Sequence, residues 1–225
     1  MAFLLVMLST TLFAEPLTLL ASGAIFLPEH HALLVADAHF GKATSFRALG
    51  VPVPSGTTSE TLSAIDHDLA ATSAQHIIFL GDFLHSARAH AASTQAALLA
   101  WRARYSALNL SLVRGNHDDR AGDPPAALGI AVVNEPLRLG PWALCHHPQS
   151  VADAYTLAGH LHPCVVLQGK ARERLRLPCF WLGAAVGVLP AYGAFTGMHP
   201  INPALGDCVF AIAGDVVRAL PVTER

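Results

Sequence analysis

Charge is scarce in this sequence. Asp, Glu, Lys and Arg make up 13% of its 225 residues, about half the share usual in a globular domain. Fourteen basic residues against sixteen acidic ones leave a net charge of -2. Such a chain carries no global electrostatic footprint for nucleic acid. Positive charge for a phosphate would have to come from bound divalent ions, which formal charge does not count. Cysteine is scarce too. Cys145, Cys164, Cys179 and Cys208 form no CxxC pair, and each lies in an apolar run. That excludes a disulfide frame and a thiolate zinc knuckle, and points to reduced core residues of a cytoplasmic protein. No apolar run is long enough to span a bilayer, so no membrane role is expected. No Lys or Arg precedes Lys42, so the apolar start lacks the positive flank of a signal peptide. Residues 1–14 are expected to be an apolar extension, either an edge strand or a disordered start. There is no internal repeat and no long linker, so residues 1–225 are expected to form a single domain.

Histidine is what the chain has in excess, with thirteen. Apolar residues make up 52%, enough for a substantial core. Residues 17–20 and 24–27 read as short strands about a Ser22-Gly23 turn, and 32–36 as a strand buried on both faces. Residues 42–49 suggest a short helix. Residues 57–71 suggest another, with Thr57 and Glu60 as a capping box. A buried strand over 76–80 precedes a long Ala-rich helix over 86–108. Strands follow at 130–133, 142–145 and 155–158. Two hairpins pair 165–167 with 177–182, around a basic tip of Lys170, Arg172, Arg174 and Arg176, and 209–213 with 216–220. The Gly/Ala-rich stretch 183–197 gives no clear pattern.

Five strand ends carry the chemistry. Residues 108–112, extended by Val113, run into Arg114-Gly115 and then Asn116-His117-Asp118. Packing does not require an amide, an imidazole and a carboxylate together. Metal-assisted phosphate chemistry uses all three, as neutral ligand, general acid and support for the imidazole. The strand over 32–36 ends in Asp37-Ala-His39, whose side chains at i and i+2 point the same way. Gly81-Asp82-Phe-Leu-His85, His146-His147-Pro148 and Gly159-His160-Leu-His162 end three more strands. In α/β proteins, sites form outside the carboxyl ends of strands, so these ends are expected at one rim. Carboxylate, amide and imidazole donors without thiolate suit Mn, Fe or Zn.

Asp-x-His, Gly-Asp-x-x-His, Gly-Asn-His-Asp, a lone strand-end His and Gly-His-x-His occur here in the order of the calcineurin-like metallophosphoesterases, from Asp37 to His162. The flanking stretches Ala36-Asp-Ala-His-Phe-Gly-Lys42, Phe46-Arg47, Gly81-Asp-Phe-Leu-His-Ser86 and Gly159-His-Leu-His-Pro163 resemble the ligase-associated DNA-damage-response branch of that family. So does the tail, Leu177-Pro-Cys-Phe-Trp181 with Leu189-Pro190 and Ala194-Phe-Thr-Gly197. The resemblance implies a four-layer αββα sandwich and a hydrolase with two divalent metal ions, manganese first, iron or zinc as alternatives. It implies that Asp37, His39 and His162 hold one ion, that Asp82 bridges, and that Asn116, His146 and His160 hold the other. His147 is the rival of His146. A hydroxide between the ions would attack phosphorus while His117 protonates the leaving oxygen.

In one position the chain departs from many relatives. Where they have a second Asp that orients the catalytic His, it has His85. A neutral His brings no negative charge to an imidazolium, so Asp118 and His85 are both candidates to support His117. Lys42, Arg47 and Arg120 are candidate substrate contacts. His30, His31, His67, His76, His90 and His199 belong to no motif and are expected at the surface or at caps. The expected activity is a phosphodiesterase, and the resemblance makes DNA its substrate and repair ligases or helicases its partners. Its rivals are a small-molecule phosphatase or cyclic-nucleotide phosphodiesterase, and a non-catalytic subunit of a repair complex.

Overall fold

Side-chain alternation along a few buried strands divides the core in two. In the computed structural model, which describes residues 7–53, 56–169, 173–194 and 196–222, the first sheet runs in simple order. It comprises β1 (Leu8–Leu12), β2 (Glu15–Leu19), β3 (Ile25–Leu27), β4 (Ala32–Ala36), β5 (His76–Leu80), β6 (Asn109–Val113) and β7 (Ala131–Val133). The first four pair antiparallel, and β4 to β7 are parallel. Successive residues of a strand point to opposite faces. Leu33, Val35, Ile77, Phe79, Leu110 and Leu112 therefore fill one core, and Leu34, Ala36, Ile78, Leu80 and Val113 the other.

Helices cover the first of these faces. They are α1 (Lys42–Ala48), α2 (Thr57–Thr72), α3 (Ala92–Arg104) and α4 (Asn116–Ala121). Leu62, Ile65 and Leu69 of α2 and Leu98 and Trp101 of α3 pack there. The second sheet covers the other face. It follows with β8 (Leu137–Leu139), β9 (Trp142–Cys145), β10 (Tyr155–Ala158), β11 (Pro163–Gln168), β12 (Arg174–Leu182), β13 (Val186–Val188), β14 (His199–Pro200), β15 (Cys208–Ala213) and β16 (Val216–Leu220). Its order is β14-β11-β12-β13-β10-β9-β8, with β15 and β16 joined beside β12. Trp142, Leu144, Tyr155, Leu157 and Phe180 meet the first sheet across the shared core. The result is a layered α/β sandwich of two mixed sheets.

Several expectations need correction. Thr57 does not cap α2. Gly56 is the cap, at φ 97°, and no side chain bonds the helix start. The long helix over 86–108 is shorter. A 3-10 turn at Ala87–His90 comes first, Ala91 is extended at ψ 142°, and α3 ends at Arg104. The stretch 183–197 contains β13. Cys145, Cys164 and Cys179 are buried, but Cys208 is exposed, and all four are free thiols. The end of the apolar extension forms edge strand β1; residues 1–6 lie outside the described residues, as do Lys170 and Arg172 of the basic tip. Arg174 and Arg176 stand exposed on β12. No described helix is long and apolar enough to cross a membrane.

One buried carboxylate ties the helices to the second half of the chain. Asp68, 1% exposed, accepts hydrogen bonds on Oδ2 from Ser22 Oγ at 2.7 Å and Tyr192 OH at 2.8 Å. Burial pushes its pKa from the ordinary 3.8 to about 6, against the pull of these bonds. The folded chain thus holds this proton more tightly than the unfolded one. The resulting stability is fully present below about pH 4 and is lost as pH rises to about 6, on the order of 3 kcal/mol. Asp68→Asn keeps an acceptor oxygen but cannot ionise, so its melting temperature is expected to fall less than that of the wild type between pH 4 and 6.5. Parallel curves would show that Asp68 does not titrate in this range.

Candidate metal centre

Register brings the polar strand ends together. Ala36 pairs with Leu80 and Leu80 with Val113, so Asp37, Gly81 and Arg114 leave the first sheet level with one another. In the second sheet Cys145 lies beside Ala158, so His146 and Gly159 leave level too. The chain then turns sharply. Asp37, His39, Asp82, His160 and His162 have φ of 53°, 46°, 50°, 69° and 48°. Left-handed backbone costs a residue with a Cβ roughly 1–2 kcal/mol, and such strain persists where the surroundings over-determine it. It falls here on five of the seven residues expected to hold metal.

Those five and their partners form two groups that share a carboxylate. In the first, Asp37, His39 and His162 each offer one atom within 4.8 Å of the others. Asp37 is wholly buried. Its Oδ2 accepts the His160 N–H at 2.8 Å, while Oδ1 has no hydrogen-bond partner and lies 3.5 Å from His162 Nε2. His39 is buried, with Nδ1 unpartnered. Burial, then the nearby cation of Lys42 and the surrounding imidazoles, lowers its pKa to about 2, so the ring is neutral and keeps a lone pair.

The second group centres on His146, which is fully buried. Its Nδ1–H donates to the Leu80 carbonyl at 3.1 Å, leaving a lone pair on Nε2. That nitrogen lies 2.9 Å from Asn116 Oδ1, 3.0 Å from His160 Nδ1 and 3.5 Å from Asp82 Oδ1. Asp82 Oδ2 faces the other way, 3.8 Å from His39 Nε2. One carboxylate therefore reaches both groups.

A family model for calcineurin-like phosphoesterases matches residues 30–172. The chain belongs to the calcineurin-like phosphoesterases. Among solved structures it is similar to the Pseudomonas putida nuclease MPE. The two share 44% identity and a TM-score of 0.85, over 95% of this chain and 100% of that one. The phosphoesterase Yfce of E. coli is 14% identical with a TM-score of 0.38, over 83% and 90% of the two chains, a likeness that carries no argument. No curated protein sequence matches significantly.

Calcineurin-like phosphoesterases use divalent metals, and the donors here fit them. A buried carboxylate oxygen and a buried imidazole nitrogen without partners are costly in a folded protein. A cation between Asp37, His39 and His162 would satisfy the carboxylate oxygen. Around His146 the donor atoms are spaced as ligands sharing one ion at bonds of about 2.1 Å would be. Glycines make this closeness possible. A Cβ on Gly81 would overlap the His146 ring, and one on Gly159 would come within 2.5 Å of Asp37 Oδ2.

His117 stands at the edge of the first group. Its backbone N–H donates to Asp82 Oδ1 at 2.8 Å, and its Nε2 is 3.9 Å from Asp82 Oδ2. The hydrogen bond that holds the imidazole comes from neither the Asp118 carboxylate nor the His85 ring. His117 Nδ1 donates to the backbone carbonyl of His85 at 2.8 Å. The His85 ring stacks between His117, at 5.2 Å, and Phe46, at 5.8 Å. Burial, then the charges of Lys42 and His117, lowers the His85 pKa to about 4. Asp118 is wholly buried and bonds elsewhere: it accepts N–H groups of Gly115 at 3.0 Å and Leu84 at 3.2 Å. It pins the Asn116-His117 turn to the Asp82 loop, because that turn opens helix α4 and its first N–H groups need an acceptor.

Of the candidate substrate contacts, Lys42 lies close to the carboxylates of the centre. Lys42 is half-buried on the first turn of α1. Burial lowers its pKa while the charges of Asp37 and Asp82 oppose the shift. Arg47 and Arg120 stand exposed on the last turns of α1 and α4. His147 also offers an atom within 4.8 Å of His146 and His160, and it is held by Glu135, whose carboxylate accepts its Nδ1–H and backbone N–H, both at 2.9 Å, and the His146 N–H at 2.7 Å. Glu135 escaped the sequence reading because it precedes β8 and touches the site only through folding. Gly193 escaped it too. Its N–H donates to the Asp37 carbonyl at 3.2 Å, beside Tyr192 N–H to Ala36 at 2.8 Å.

Proposed function

We propose that this chain is a phosphodiesterase with two divalent ions, manganese first and iron or zinc as alternatives, and that it cuts DNA. The observation that carries the chemistry is Asp82 reaching two donor groups, with the His117 ring beside it. Asp37, His39 and His162 would hold one ion, Asn116, His146 and His160 the other, and Asp82 both. When bound, a pair of divalent ions supplies positive charge for the phosphate and lowers the pKa of water at the centre. Lys42 adds a cation on the α1 side, where a non-bridging phosphate oxygen would lie. His117 gives up its proton from Nε2, because Nδ1–H is held by the His85 carbonyl, and the leaving oxygen receives it. His85 positions that ring by stacking, and Asp118 positions the turn that bears it. DNA as substrate is supported by the likeness to a nuclease at 44% identity over nearly the whole chain, together with the sequence motifs of the repair-associated branch.

Manganese-reconstituted protein is expected to hydrolyse a chromogenic phosphate diester faster than its monoester, and to cut a single-stranded oligonucleotide. Turnover of the monoester alone would make the protein a phosphatase. Loaded protein without turnover on any of the three would leave a binding subunit.

A further inference from the structure

We propose that the cleft walled by Trp181, next to the metal centre, is a nucleobase subsite. It would hold the base of the nucleotide adjoining the phosphate being cut. This rests on the nuclease reading and adds to it a place for the neutral part of the substrate.

Position comes first. Trp181 pairs with Val188, and Val188 lies beside Ala158, two residues before His160. With strands about 4.8 Å apart, the Trp181 backbone sits roughly 10 Å from the chain that bears His160. Two lining residues of the cleft adjoin the centre along the chain. Leu161, which lines it, stands between His160 and His162, and Gln149 follows His146-His147 closely on another wall. A nucleotide whose phosphate lies at the ions has its base within reach of this opening.

Shape and chemistry narrow the occupant. The cleft holds about 400 Å³, within the range of roughly 300–1,000 Å³ typical of small-molecule sites. The Trp181 indole is fixed there by its Nε1–H to Asp207 Oδ2 at 2.7 Å, and Asp207 is held in turn by the Ala204 N–H at 2.8 Å. An aromatic ring locked in this way is a platform that any base can meet with its π-face. Leu161 is 38% exposed although it sits between two polar ligands, so an apolar occupant would cover it. Gln149 and Ser150 supply polar groups for a base edge. Among the described residues no Lys or Arg lines the cleft, and the one charged lining residue is Asp207. A phosphate would be repelled there. A neutral, flat heteroaromatic ring is the ligand that fits.

The test uses the manganese-loaded full chain and a single-stranded oligonucleotide in which one base at a time is replaced by an abasic sugar. Cleavage is mapped at every phosphate. Wild-type protein is expected to cut the phosphate adjoining the abasic position about ten-fold more slowly, on one side only. In Trp181→Ala the ratio of intact to abasic cleavage is expected to fall towards one, and in Trp181→Phe to be retained. Leu161→Ala, a smaller change at another lining residue, is expected to shrink the ratio partway and serves if Trp181→Ala does not fold. Uniform cleavage past the abasic sugar by wild-type protein would overturn the subsite and leave the nuclease standing. An unchanged ratio in every folded variant would also overturn it. Failure of wild-type protein to cut any oligonucleotide would overturn the nuclease reading and the subsite together.

Discussion

Replacing His117 by alanine is expected to slow diester turnover by about 10²–10⁴-fold while both metals stay bound. The size is that of a lost general acid. The retention of metal follows from how this residue is attached. Its backbone N–H holds Asp82 Oδ1 at 2.8 Å, and alanine keeps that bond. Asp118 continues to anchor the turn through Gly115 and Leu84. What disappears is the ring, with its bond to the His85 carbonyl and its stacking on His85. The opposite outcome is concrete, because His39, His85 and His117 also offer atoms within 4.8 Å of one another. Metal analysis showing a loss of ions in His117→Ala would make the residue a ligand and end its role as acid.

Removing Asp82 should do the reverse. Asp82→Ala is expected to take metal content from about two ions per chain, as in two-metal hydrolases, to at most one, and turnover with it. The carboxylate is 2% exposed. It stands 3.5 Å from His146 Nε2 with one oxygen and 3.8 Å from His39 Nε2 with the other. Without it, the two groups lose their shared anion, and the His117 N–H loses its acceptor. Asp82→Asn retains that acceptor without the charge, so it separates the two losses. Its metal content is expected to fall while its melting temperature stays closer to the wild type than that of the alanine variant. Full occupancy by two ions in Asp82→Ala would rule out the shared carboxylate.

Strands β4, β5, β9 and β10 were legible in the sequence because their residues are almost all buried, and a strand buried on both faces reads as a near-continuous apolar run; β6 was legible from Leu110, Leu112 and Val113. Their functional ends were legible for a related reason: polar residues packed against such a run have no structural explanation. The turn after β6 was less so. Asn116-His117-Asp118 reads as a loop by composition, yet it opens helix α4, since Asp118 satisfies the N–H of Gly115 from inside the first turn. The capping box at Thr57 failed because Gly56, free to adopt φ 97°, starts the helix one residue earlier. Short strands β8, β13 and β14 gain their order from neighbours rather than from their own residues. The support of His117 by a backbone carbonyl could not be read at all, because a carbonyl has no residue identity.

The metal-type residues divide between the two sheets. Asp37, His39, Asp82 and Asn116 follow strands of the first, whereas His146, His160 and His162 follow strands of the second. A polypeptide leaving the ribosome therefore releases four donors well before the remaining three exist. The late donors are placed only after β10 has β9 on one side and β13 on the other, and β13 follows all of them in the chain. In the proposed two-ion centre, ion capture would thus be a closing event of biogenesis, tying the first sheet to the second at their shared rim.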